Sequence, residues 1–202
     1  EKLDIHKPFH VSPTGIQLQQ YTVNHQEEVP FSVFHFGSMD WMPNEEAVLW
    51  FVNNVWEMVV RKIPQAKFYI IGRGMSQRII SLNKSNVVVI GKIEKAEKVY
   101  HQYSVMVVPL LSGSGMRIKM IEGMAYEKPI ISTSIGAEGI AVTSGKNCLL
   151  ADNCDDFSNA IIELLTNQDK RTSLQKEARN FIEQNFENKT LVSHLVNFYR
   201  SL

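Results

Sequence analysis

The sequence predicts an α/β domain built on a doubly wound, all-parallel sheet of about six strands. Short unbroken apolar runs recur along the chain, and helix-length segments lie between them. Strands of that kind are buried on both faces, which calls for helices above and below a parallel sheet. Several of the runs also end in turns containing Gly or Ser, at the strand ends where such domains hold their ligands.

Residues 1–30 are polar and aperiodic, and Pro8, Pro13 and Pro30 punctuate them, so they read as an extended lead-in and linker. The first strand covers 31–36, and Gly37 and a helix over 44–62 follow. A second strand, 67–71, ends at Gly72, Arg73 and Gly74, with a short helix after it. The third strand is 87–90, followed by a helix over 94–102. The fourth spans 104–109, with a helix over about 115–127, and the fifth spans 129–132. A sixth falls at 148–151. From 155 to 202 the pattern is helical with breaks near Asn167 and Asn188. Right-handed crossovers turn this order into a Rossmann-like domain over 31–187 with extra C-terminal helices.

The bulk composition excludes several classes of function. The 202 residues leave room for one sizeable core, and 44% of them are hydrophobic. The 21 basic and 21 acidic side chains cancel, so no global field draws in nucleic acid or an anionic membrane. An anionic ligand must therefore be held by a local cluster. Cys148 and Cys154 match neither a zinc spacing nor a disulfide framework, so no metal and a reducing cytoplasm are expected. No apolar run approaches the roughly 18–20 residues of a membrane span. Residues 1–10 are too polar for a signal peptide.

The stretch VVPLLSGSGMRIKMIEGMA, residues 107–125, carries the chemistry. A strand ends at Pro109, and a small-residue loop, 112–115, leads to a helix whose first turn holds Arg117 and Lys119. Backbone N–H groups can approach an anion there, and the helix start adds partial positive charge. At about 100° per residue, Gly115, Lys119, Glu122 and Tyr126 share one face, while Met116, Met120, Ile121 and Met124 face the core. Arg117 falls inside the apolar arc and would lean back past the helix start to a phosphate. Glu122 could accept hydrogen bonds from ribose hydroxyls. The same residues also fit a solvated helix face with a Lys119–Glu122 pair.

Three segments in this order and spacing resemble motifs of the group 1 (family 4) glycosyltransferases. They are FGSMDWMPN from Phe36 to Asn44, RIKMIEGMA from Arg117 to Ala125, and STSIGAEG from Ser132 to Gly139. VSPTGIQL at 11–18 and GKNCL at 145–149 resemble two further family segments, with Cys148 where glycine is usual. The resemblance implies the C-terminal, donor-binding half of a GT-B fold in a retaining, metal-independent enzyme. It would move a sugar from a nucleoside-diphosphate sugar to a glycan or lipid-linked acceptor hydroxyl. Carried over by residue, it places the donor diphosphate at Gly37, Ser38, Ser114, Gly115, Arg117 and Lys119. Glu122 would meet the ribose, and Gly91, Lys92 and Ile93 the base. It implies no cofactor and a cytoplasmic protein, with the full-length enzyme able to sit on the inner membrane face. The helix over 188–202 would cross to the acceptor domain, and without that domain the chain is expected to be inactive.

Two departures from the family pattern stand out. Ser114 occupies the place of a carboxylate expected on the donor sugar. Ser38 and the segment from Trp41 to Asn44 replace the usual Arg and Lys after the first strand. A non-catalytic nucleotide- or sugar-binding module, or a GT-B-type nucleotide-sugar epimerase, stays open beside the transferase. Gly72-Arg73-Gly74 reads as a structural turn, since a dinucleotide fingerprint would need a third glycine and an acidic partner. His35 reads as packed or ligand-adjacent, and His101 as a helix-end residue. Trp50 and Trp56 read as packing, whereas Trp41 lies in a loop that should border the cleft. Glu138 fits a surface charge or the cleft rim equally well.

Overall fold

The structure, a computed structural model, describes residues 7–26 and 28–202. Six parallel strands form one sheet in the order β3-β2-β1-β4-β5-β6. The strands are β1 (Val29–Phe36), β2 (Lys67–Ile71), β3 (Val87–Gly91), β4 (Tyr103–Val108), β5 (Ile130–Ser132) and β6 (Leu149–Leu150). The order reverses direction between β1 and β4, so the crevice of a doubly wound sheet opens where the loops after these two strands diverge.

Alternate residues of each strand enter two separate cores, as a sheet covered on both faces requires. Val33, Phe68, Ile70, Val105, Val107 and Ile131 face one side. They pack there under α1 (Met42–Phe51), a wide helical turn (Val52–Trp56), α2 (Glu57–Lys62) and α6 (Cys154–Thr166). Phe34, Ile71, Met106, Val108 and Ile130 face the other side. Their cover is α4 (Ala96–Gln102), α5 (Ile118–Ala125) and α7 (Gln168–Asn185). A short α3 (Gln77–Ile80) buries Ile79 against the first core, and α8 (Asn188–Arg200) closes the chain. Trp56 lies in the first core, and Trp50 meets Phe157 edge-on, so both tryptophans are packing residues.

Most boundaries differ from the sequence reading by one or two residues, and two of the differences have a clear local cause. β1 begins at Val29, two residues early, and carries Pro30 inside it. The register against β4 shifts between Val29 and Val33, so the missing Pro30 N–H breaks no regular ladder there. The predicted helix over 115–127 is shorter at its start, because Gly115 is left-handed and Arg117 is extended (φ −92°, ψ 96°). Gly115 and Met116 thus belong to the loop. Among the described residues of the lead-in none before Val29 joins the sheet, yet Ile16 and Leu18 are buried in the second core. Among the described residues no helix is long and apolar enough to cross a membrane.

Candidate functional site

Three strand-end loops are tied to one another at the carboxyl edge of the sheet. Gly37 N–H donates to Ile71 O (3.0 Å), Met39 N–H to Arg73 O (2.8 Å) and Gly72 N–H to Gly91 O (2.9 Å). The loops cross so closely that a Cβ on Gly72 would lie 1.8 Å from the Gly37 carbonyl oxygen. Between them opens a crevice of about 310 Å³ lined by Phe36, Gly37, Ser38, Gly72, Arg73, Lys92 and Ile93. A larger cavity, about 400 Å³, lies between α4 and the sheet and shares Ile93 with the crevice. Arg117 and Lys119 line neither space, but the crevice holds Arg73 and Lys92 in its wall and Lys119 Nζ lies just behind Gly37, so the nearby cations and not the volume select the crevice.

The loop after β4 brings the cations to this edge. Arg117 is buried, with its guanidinium 5.4 Å from the Trp41 ring centre and Nη1 donating to the Ser114 and Gly115 carbonyls. Its Nε and Nη2 have no hydrogen-bond partner, and the nearest anion is Glu138 at 4.0 Å on an exposed side chain. Buried guanidinium N–H groups without acceptors are costly in a folded protein, and a ligand oxygen would satisfy them. Lys119 points beneath the Gly37 turn, where a Cβ on Gly37 would come within 2.6 Å of its Nζ. The Lys119 Nζ donates to Asn44 Oδ1 at 2.7 Å and lies 3.4 Å from His35 Nε2. Asn44 in turn donates from Nδ2 to the Ser38 carbonyl at 2.8 Å, so one amide links the first loop to the cation.

The remaining predicted residues divide between neighbouring places. Lys92 and Ile93 line the crevice beside Gly37 and Ser38, and Gly91 sits at its back, bonded to Gly72. Ser114 and Gly115 are exposed, and their carbonyls anchor Arg117. Glu122 is half-buried one turn along α5 from Lys119, 3.5 Å from the Tyr100 hydroxyl. Burial raises its carboxyl above the ordinary value, and the Tyr100 bond works against that rise. The Ser132–Gly139 segment is pinned by Asp152, which accepts from Ser134 N–H (2.7 Å) and Ser134 Oγ (2.6 Å). That pinning leaves Glu138 on the rim, facing Arg117. Among the described residues no cluster of three or more His, Cys, Asp or Glu could hold a metal ion.

Sequence reasoning missed two members of this constellation and the partner of a third. Asn44 reads as the start of a helix, and its contact with Lys119 joins residues 75 apart in the chain. Arg73 reads as part of a turn, yet it lines the crevice and donates from Nε to Ser38 Oγ at 3.2 Å. Trp41 was placed at the cleft without a partner, and the partner is Arg117. An aromatic just before one helix start, with an arginine just before another, is the available signal.

Comparison with known proteins matches this geometry to a family. Residues 30–167 match the family model described as glycosyl transferases group 1. An uncharacterized 44.6 kDa protein in the cps region of Klebsiella pneumoniae is 27% identical over 174 residues, 81% of this chain and 45% of that protein. An uncharacterized glycosyltransferase of Methanocaldococcus jannaschii is 32% identical over 107 residues, 51% of this chain and 30% of that one. The chain thus spans less than half the length of these two relatives. Among solved structures, Anabaena HepE in complex with UDP and glucose superposes with a TM-score of 0.72 at 15% identity, covering 96% of this chain and 57% of HepE. The C-terminal domain of the Francisella tularensis group 1 glycosyl transferase LpcC gives 0.69 at 14% identity, covering 86% of this chain and all of that domain. These likenesses establish a GT-B-type Rossmann-like fold, and with the family model spanning most of its length the chain belongs to the group 1 glycosyltransferases.

Proposed function

We propose that this chain is the donor-binding half of a retaining glycosyltransferase that takes a nucleoside-diphosphate sugar. The observation that carries the reading is Arg117, a buried guanidinium at the carboxyl edge of the sheet with two nitrogens unpartnered among the described residues, beside a lysine that pairs with no described carboxylate. Two such cations suit a diphosphate, whose charge grows on the departing oxygen as the sugar leaves. Gly37 and Ser38 give backbone approach to the phosphates, Glu122 accepts from the ribose, and the Gly91–Ile93 loop meets the base. HepE binds UDP and glucose on the same fold, which supports the ligand class. The acceptor, a glycan or lipid-linked hydroxyl, would be held outside this chain, and transfer would need that second part.

Calorimetric titration of the chain with UDP, GDP and ADP tests the reading. One diphosphate should bind, and Arg117→Ala should weaken it by at least about tenfold, roughly the loss of one charge-assisted contact. Glu122→Ala should weaken the nucleotide but leave inorganic pyrophosphate unaffected, which separates ribose from phosphate recognition. Equal affinity of wild type and Arg117→Ala for every nucleotide would remove the diphosphate assignment.

A further inference from the structure

Among the described residues no carboxylate pairs with Lys119. Its Nζ meets two acceptors, Asn44 Oδ1 at 2.7 Å and His35 Nε2 at 3.4 Å. His35 is fully buried, and its Nδ1 lies 3.0 Å from the Val107 carbonyl, a contact that an N–H must make. In the neutral ring Nε2 then carries the lone pair and turns it towards Lys119. A neutral amine has two N–H hydrogens, which these two acceptors use. A third N–H, free for a ligand, exists in the ammonium form alone.

We propose that Lys119 stands as a neutral amine in the unliganded site and takes a proton from solution when a nucleoside diphosphate binds, with Asn44 as the residue that keeps it in waiting. This rests on the donor-site reading and adds to it the charge regulation of that site. Among the described residues the groups facing Lys119 are His35 from β1, Asn44 from α1 and Arg117 from the loop before α5, and none of these is anionic. Burial, with the Arg117 charge second, brings the Lys119 ammonium down to about 7. Burial likewise holds His35 well below the usual histidine value, so the ring stays neutral. A diphosphate reverses the balance, because adjacent negative charge favours the charged amine. The proton passes from buffer acid to the Nζ lone pair, and the new N–H is directed at a phosphate oxygen. A carboxylate in place of the Asn44 amide would hold that proton in the free state and neutralise the cation before the ligand arrives.

The test is titration of the chain with UDP, GDP and ADP at about pH 8, in two buffers of different ionisation enthalpy. A terminal phosphate with its second ionisation near about 6 is then already fully charged and takes up no proton of its own. For the diphosphate that binds, the heats should differ between buffers by the amount due to nearly one proton taken up. Lys119→Met should abolish the difference. Asn44→Asp should abolish it too and weaken binding about tenfold. Binding with identical heats in both buffers overturns proton uptake and leaves the donor site standing. Uptake that survives Lys119→Met also overturns the proposal, since the proton then lands elsewhere. No binding by any diphosphate overturns the donor-site reading and this inference together. The deciding comparison is made on the wild-type chain, so a variant that fails to fold does not blunt it.

Discussion

Lys119 trades stability for an available charge. Its folded value, about 7, lies below the 10.5 of an unfolded lysine, so the unfolded chain binds more protons between those two values. Unfolding free energy therefore rises with pH across that window, and the deficit is fully present below it. Lys119→Met removes the deficit, so its melting temperature should exceed that of wild type most below about pH 7, the gain shrinking towards about pH 10. Thermal melts at several pH values would check this. A variant that is less stable than wild type at every pH would mean that the ammonium is not penalised by its site. Arg117 makes a related trade by keeping two buried nitrogens unpartnered among the described residues.

At the scale of elements, the site depends on how closely the loops after β1 and β2 cross. Gly72 has φ 149° and no space for a side chain above the Gly37 carbonyl. Gly72→Ala should cost ~2 kcal/mol or more through backbone collision and strain, and it should weaken any ligand held by Gly37 and Ser38. Denaturant unfolding measures the first effect, and an unchanged midpoint would show that the loops separate freely. The strands were legible because burial on both faces leaves unbroken apolar runs such as 105–108. The start of α5 was less so, since the run from Met116 to Ala125 has helical periodicity whether or not its first two residues are helical. Their conformation is set by the loop, which Arg117 ties down from its own side chain. Arg117, Lys119 and the Gly37 turn could be read directly from residue type and position. Asn44 and His35 could not, because what they do depends on β1 and α1 lying against α5, contacts 75 and 84 residues apart.

At the scale of the whole molecule, the lead-in acts as a strap across the second core. Ile16 N–H donates to Phe186 O (2.8 Å) and Asn188 N–H to Ile16 O (2.9 Å), fastening one end at the turn between α7 and α8. Arg179 Nη1 donates to the carbonyls of Tyr21 (2.9 Å) and Ala125, and His101 Nε2 donates to that of Thr22 (2.8 Å). His25 fastens the other end, with Nδ1 2.9 Å from Glu28 and Nε2 3.2 Å from Glu127. Buried Lys128 donates to Glu28 and to the Tyr103 carbonyl. The Glu28 hydrogen bond leads the effects on His25 and raises it above the usual histidine value, with Glu127 adding to the rise and burial and Lys128 opposing it. A histidine raised on folding contributes stability that is fully present below its unfolded value of about 6.5 and is lost as pH climbs through the folded one. The strap should therefore loosen on going from about pH 6 to about pH 8. Hydrogen exchange at the Tyr21 amide, which donates to the Leu18 carbonyl (3.1 Å), corrected for the intrinsic pH dependence of exchange, should show protection falling over that range in wild type. In His25→Gln it should be low at both ends, because the amide cannot gain the charge that binds two carboxylates. Protection that is independent of pH in wild type would assign the strap to its buried Ile16 and Leu18 anchors and leave the histidine without a role in it.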